Sequence, residues 1–307
     1  MKEKSSISKK IFVVASAIGR TSILILGVHI TAAIILSLFY TFDIIFKRIT
    51  TAYPFFILIV KYENGLKADI LPLFYFIDNY FKIFIIFSVL IIFFAVIKLF
   101  SMDENPFKLI KENIFTKNLS FSHIFLIIFA LETMYSIIIT LLGITPVIPK
   151  LPHPIIVMVI APVEEEIAAR LVLIGIPLII IDLIKKKNIS NIFKEITVGW
   201  GEFNKVSIFL IVMSSIIFAQ VHVEYGWDIW KFLPAFIAGI GLGVVFVKYG
   251  FLLAVLLHFA LNSLPYISEF SIMGYNFPLI IIFGYLYSIS GFIFLLATLL
   301  KYRPKIT

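Results

Sequence analysis

The sequence has no cysteine, and only 14% of its 307 residues are charged. The first absence excludes a disulfide framework, a thiol nucleophile and every thiolate metal site, leaving His, Asp and Glu as the available ligands. The second excludes an ordinary soluble domain, in which roughly 25% of residues are charged. Hydrophobic residues make up 61% of the chain, and the mean hydropathy is +1.07. The net charge of +8 does not form a basic face for nucleic acid. The lysines and arginines sit between apolar blocks, where a membrane topology uses them.

A membrane-spanning helix needs about 20 predominantly apolar residues, and about eight such stretches are present. They lie near 21–46, 81–100, 121–147, 155–184, 207–223, 229–247, 250–267 and 277–300. The pattern predicts an all-α, polytopic helical bundle forming a single membrane domain over 1–307. Two further apolar pieces, 51–60 and 70–80, are too short to cross and read as interfacial or re-entrant segments around KYENGLKAD. The stretches 101–120 and 185–206 read as the longest polar connectors. The basic start followed by an apolar run resembles a signal sequence, but no cleavage site is clear, so an uncleaved first span is expected. The Lys and Arg bias places both termini inside.

The fourth span holds Glu164, Glu165 and Glu166, followed by Arg170. A single charge at the centre of an apolar helix costs about 2.5–3.5 kcal/mol on insertion scales, so four charges call for a reason. Glu166 and Arg170 are four apart and share a helix face. Glu165 points about 100° away, and Pro162 frees backbone groups one turn earlier. The fifth span carries Phe218 and His222, and the seventh carries His258 and Asn262, each pair again at spacing four. Taken singly, these residues suit an ion pair, an interfacial histidine and an interhelical hydrogen bond. Their occurrence on three separate apolar helices points to one polar site where those spans meet. Glu132, deep in the third span, could pair with Arg170 or bind a proton. His29 and His123 read as packing or interfacial groups, and Asp182 as a side chain reaching back to the surface beside Lys185–Lys187. Gly239 and Gly243, with Ala235, give small residues at spacing four that let helices approach closely.

Three motifs stand in order on these helices: EEIAAR at 165–170, FAQVH at 218–222 and HFALN at 258–262. Together they resemble the CAAX-protease and bacteriocin-processing family of intramembrane proteases, which includes the type II CAAX prenyl endopeptidases. The resemblance covers residues 155–265, the expected catalytic core. It implies an intramembrane endopeptidase acting on a membrane-associated protein or peptide, isoprenylated at a CAAX terminus or otherwise, in the cell membrane. Glu165 is then the base that activates water, with His222 sharing the proton or orienting that water. His258 and Asn262 donate to the oxyanion, and Glu166 with Arg170 keeps Glu165 aimed. The family has been described both as glutamate proteases and as metal-dependent. A cofactor-free glutamate mechanism is favoured here. The zinc alternative takes Glu165, His222 and His258 as ligands.

The rival from another class is a proton-coupled transporter, since buried Glu and His also mark proton pathways. No inverted repeat supports it. A non-catalytic immunity or scaffold protein on the same frame is the third alternative. The topology puts Glu165, His222 and Asn262 nearer the outer face.

Overall fold

The computed structural model describes residues 2–46, 54–62, 66–75, 78–103, 105–109, 111, 119–146, 156–269 and 278–301. It opens with α1 (Lys2–Phe46), which continues unbroken from the basic N-terminal residues into the first apolar block. Strands β1 (Pro54–Tyr62) and β2 (Leu66–Tyr75) follow. Then come α2 (Asp78–Ser101), the short α3 (Pro106–Leu109) and α4 (Phe121–Leu141). A compound helix occupies 156–184. It starts as a π-helix at Ile156–Ile160, becomes α5 (Ala161–Glu166), widens again to π over Ile167–Gly175 and finishes as α6 (Ile176–Ile184). The remainder is α7 (Ile189–Val198), α8 (Lys205–Glu224), α9 (Phe232–Tyr249), α10 (Phe251–Glu269) and α11 (Pro278–Lys301).

Seven helical stretches among the described residues are long and apolar enough to cross a membrane, so the chain is a multi-pass integral membrane protein built as a helical bundle. The eighth stretch, expected as a span at 250–267, is α10. Its apolar part, Phe251–Leu264, is shorter than the others. Leu253 to Leu257 are fully buried, as are Phe259 and Ala260. A helix that is apolar all round belongs inside a core, and α10 packs against α1, α2, α4, α5 and α9. Lipid-facing helices show the opposite arrangement. On α8, Ile208, Phe209, Val212, Met213, Ile216 and Ile217 are exposed, while Ser207, Ser214 and Ser215 are buried. Without water to drive apolar burial, small and polar side chains mediate helix contact instead.

The pieces at 51–60 and 70–80 differ from expectation. They pair as an antiparallel hairpin from Pro54↔Tyr75 to Tyr62↔Leu66, with an irregularity between Phe55 and Phe56. Runs such as Phe55–Val60 favour strands, and the Asn64-Gly65 dipeptide between them is a hairpin signal that a search for helices passes over. The connector 185–206 also contains more order than expected, since α7 lies within it. Asp182 does not reach out to the surface. It is buried, accepts from Trp200 Nε1 at 2.9 Å and pairs with Lys187 Nζ at 3.0 Å.

Close helix approach occurs where the small residues predicted it. A Cβ on Gly239 would stand 2.9 Å from Ser215 Cβ, and one on Gly243 would stand 2.9 Å from Ile211 Cγ2, so α8 lies directly on α9. The tightest crossing is between α4 and α11, where a Cβ on Gly291 would meet the Leu126 carbonyl oxygen at 1.9 Å. That neighbour is helix backbone and cannot rotate aside. Gly291→Ala should therefore push the two helices apart, at a cost of about 1–3 kcal/mol or more from overpacking. A lowered thermal midpoint of the purified protein checks this, and an unchanged midpoint would show that the crossing yields freely.

Candidate active site

The compound helix supplies the acids. Pro162 and Pro177 stand at the starts of α5 and α6, just after each π segment. Proline lacks an N–H and its ring crowds the carbonyl one turn back, and a wider turn relieves both conflicts. Glu165 and Glu166 thus occupy a short α-helical stretch flanked by wider turns, with Arg170 in the second π segment.

Glu166 and Arg170 are both fully buried, and Arg170 Nε lies 3.2 Å from Glu166 Oε2. The guanidinium has two further partners. Its Nη1 donates to Ser214 Oγ at 2.8 Å, and Ser214 in turn donates to the Ala169 carbonyl at 2.6 Å. Its Cζ lies 5.0 Å from the centroid of the Phe218 ring, a cation–π contact. The other carboxylate oxygen of Glu166 faces His258 Nδ1 at 3.0 Å. A chain of contacts therefore runs from α8 through Arg170 and Glu166 to the imidazole on α10.

Glu165 is arranged differently. Its side chain is 36% exposed, yet its Oε2 atom is buried and receives no hydrogen bond. That atom stands 3.7 Å from His258 Nε2 and 3.9 Å from His222 Nε2. His222 Nδ1 faces the Phe218 carbonyl at 2.8 Å. An oxygen acceptor stands on each Nδ1, so in its neutral form each imidazole carries the proton there and turns Nε2 toward Glu165. Glu165 Oε2 and the two Nε2 atoms thus converge, at separations that one water molecule would bridge. Phe218 spaces the two histidines, with ring centroids 4.5 Å from His222 and 5.9 Å from His258.

Asn262, one turn beyond His258, donates from Nδ2 to the Val157 carbonyl at 3.0 Å and so ties α10 to the start of the acidic helix. Its second amide N–H is left for another acceptor. Glu132 does not pair with Arg170, whose acidic neighbours are Glu166 and Glu165. The charged groups around Glu132 are Lys231 and His258. His29 and His123 lie in other contacts, His29 with Ser263 at 3.0 Å and His123 in the N-cap of α4 with Ser120.

Sequence reasoning missed Ser214 and the direct link from Glu166 to His258. Ser214, Phe218 and His222 repeat at spacing four and form one face of α8, which is the signal that could have found the serine. The link to His258 has no such signal, because it joins segments remote in the chain.

Both imidazoles are oriented as metal-bound histidines usually are, with Nδ1 held by an oxygen and Nε2 presented. Nevertheless, among the described residues no group of three His, Asp or Glu side chains has the spacing of a metal site. Glu165, His222 and His258 are the side chains that would hold a zinc ion, with Glu165 Oε2 3.7 and 3.9 Å from the two Nε2 atoms.

These features define a polytopic helical membrane protein whose apolar bundle encloses a Glu–His site at the meeting of three helices. Residues 146–264, which include every residue of that site, match the family model described as "Type II CAAX prenyl endopeptidase Rce1-like". The match covers less than half of the chain, and within it the segment is similar to type II CAAX prenyl endopeptidases. No curated protein and no solved structure matches the chain.

Proposed function

We propose that this protein is a glutamate-type intramembrane endopeptidase of the cell membrane that cleaves a membrane-associated, isoprenylated CAAX-type substrate. The observation that carries the reading is the convergence of two imidazole Nε2 atoms on the unpartnered Oε2 of Glu165. Glu165 takes a proton from water, and the water oxygen attacks the scissile carbonyl carbon. His222, fixed through its Nδ1, orients that water. As the C–N bond breaks, the proton passes from Glu165 to the leaving amine, and the products are an acid and an amine.

A second proton, at Nε2, makes His258 a donor, and Glu166 is placed to hold that imidazolium through Nδ1. His258 Nε2 and the second N–H of Asn262 then serve the oxyanion of the tetrahedral intermediate, where one such donor is typically worth about 2.7–4 kcal/mol. Glu166 is thus a partner of His258 as well as of Arg170.

The test uses purified protein and a fluorogenic farnesylated CAAX-type peptide. Wild-type protein treated with chelator should cleave at an undiminished rate. Activity that disappears with the chelator and returns only with zinc would overturn the glutamate mechanism and reinstate Glu165, His222 and His258 as zinc ligands.

A further inference from the structure

The segment after His222 folds back over its own helix end. Trp227 N donates to the His222 carbonyl at 3.4 Å, and the Asp228 side chain caps the 3-10 turn at Ile229–Lys231. Tyr135 OH donates to the Trp230 carbonyl at 2.8 Å, which fastens this turn to α4 one turn beyond Glu132. Lys231 is thereby set beside the site. Its Nζ lies 4.7 Å from the centroid of the Trp227 ring and 5.9 Å from that of Trp230, two rings packed edge to face.

A lysine among tryptophans at a helix end has an ordinary explanation, as part of the interfacial belt that anchors a span. Two observations set Lys231 apart. Its charge acts on His222 and on Glu132, both on the site side of the bundle. Moreover, none of the described carboxylates lies within ion-pair distance of it, although Glu132 shares its field. The aromatic faces steady the ammonium without neutralising it, so its positive charge remains available to an incoming anion.

We infer that Lys231, held by Trp227 and Trp230, binds the C-terminal carboxylate of the substrate. The inference rests on the endopeptidase reading. A C-a-a-X terminus ends in a free carboxylate. When the terminal tripeptide is the leaving fragment, that carboxylate lies at most about 10 Å from the scissile bond in an extended chain. A cation bordering the site can meet it there. Arg170 cannot serve, because it is buried and already engaged by Glu166 and Ser214. Lys231 therefore selects for substrates whose chain ends just beyond the cleaved bond.

The experiment compares two farnesylated peptides that differ only in a free acid or an amide at the C-terminus. The wild-type protein should show a KM about tenfold or more higher for the amide, the scale of one charge-assisted hydrogen bond, with kcat little changed. Lys231→Gln should raise KM for the acid to that for the amide and abolish the discrimination, whereas Lys231→Arg should retain it. Equal KM values for the two peptides on wild-type protein would overturn the inference and leave the endopeptidase reading standing. Discrimination that persists in Lys231→Gln would overturn it as well. Cleavage of neither peptide by wild-type protein removes both. Should Lys231→Gln fail to fold, the acid–amide comparison on the wild type together with Lys231→Arg still decides.

Discussion

Glu165→Gln should lower cleavage of a farnesylated CAAX-type peptide by about 10²–10⁴-fold, the usual contribution of a general base. The thermal midpoint of the protein should stay the same or rise. The stability half of this expectation follows from the contacts. Glu165 is partly open, its Oε2 accepts no hydrogen bond, and its neighbour Glu166 carries the same charge. Replacing it removes no hydrogen bond at Oε2 and relieves a like-charge contact. Groups poised for chemistry commonly trade stability in this way. A Glu165→Gln protein that unfolds early, or that cleaves at the wild-type rate, would show that the residue serves the fold and not the reaction. In a proton-coupled transporter the same substitution should alter flux, with no cleavage at any stage.

The largest stability effect is expected from Arg170→Ala. It leaves the fully buried Glu166 without its cation, and breaking a buried pair from one side typically costs about 3–5 kcal/mol. The double substitution Glu166→Ala with Arg170→Ala should recover a large part of that loss, because no uncompensated charge remains. Activity should stay absent in the double variant, since His258 Nδ1 has lost its acceptor at 3.0 Å. Thermal midpoints and cleavage rates of both single variants and the double variant check the coupling. Activity restored together with stability would mean that the pair acts on the fold alone and that Glu166 does nothing for His258. Arg170→Lys is not an equivalent replacement. A single ammonium cannot reproduce the flat ion that reaches Glu166, Ser214 and the Phe218 ring together.

The local parts of this architecture were legible in the sequence. Apolar length located the spans, and spacing four paired Glu166 with Arg170. Spacing four also put Phe218 beside His222 and placed Gly239 and Gly243 at a close crossing. What escaped was long-range or depended on helix pitch. A wheel drawn at 100° per residue assumes a uniform α-helix. The π segments at Ile156–Ile160 and Ile167–Gly175 break that assumption on either side of the acids. Predicted azimuths therefore drift, and the bond from Glu166 to His258 could not be read from spacing. The hairpin was missed because its two apolar runs were measured only against the length of a spanning helix. For α10, length and hydropathy could not separate a lipid-exposed helix from one surrounded by protein.

The pairing of Arg170 with Glu166 also bears on how the chain enters a membrane. Synthesis proceeds from the N-terminus, so the acidic helix is made before α8 and α10 exist. An arginine four residues from Glu166 travels with it and can offset its charge during insertion, before the later helices are there to contribute. The proposed catalytic partners of the acids, His222 and His258, arrive on later helices. A nascent chain ending before α10 would thus hold its acidic helix in the bilayer without being able to cleave anything. On the endopeptidase reading, the order in which the helices are made is itself a safeguard against premature proteolysis.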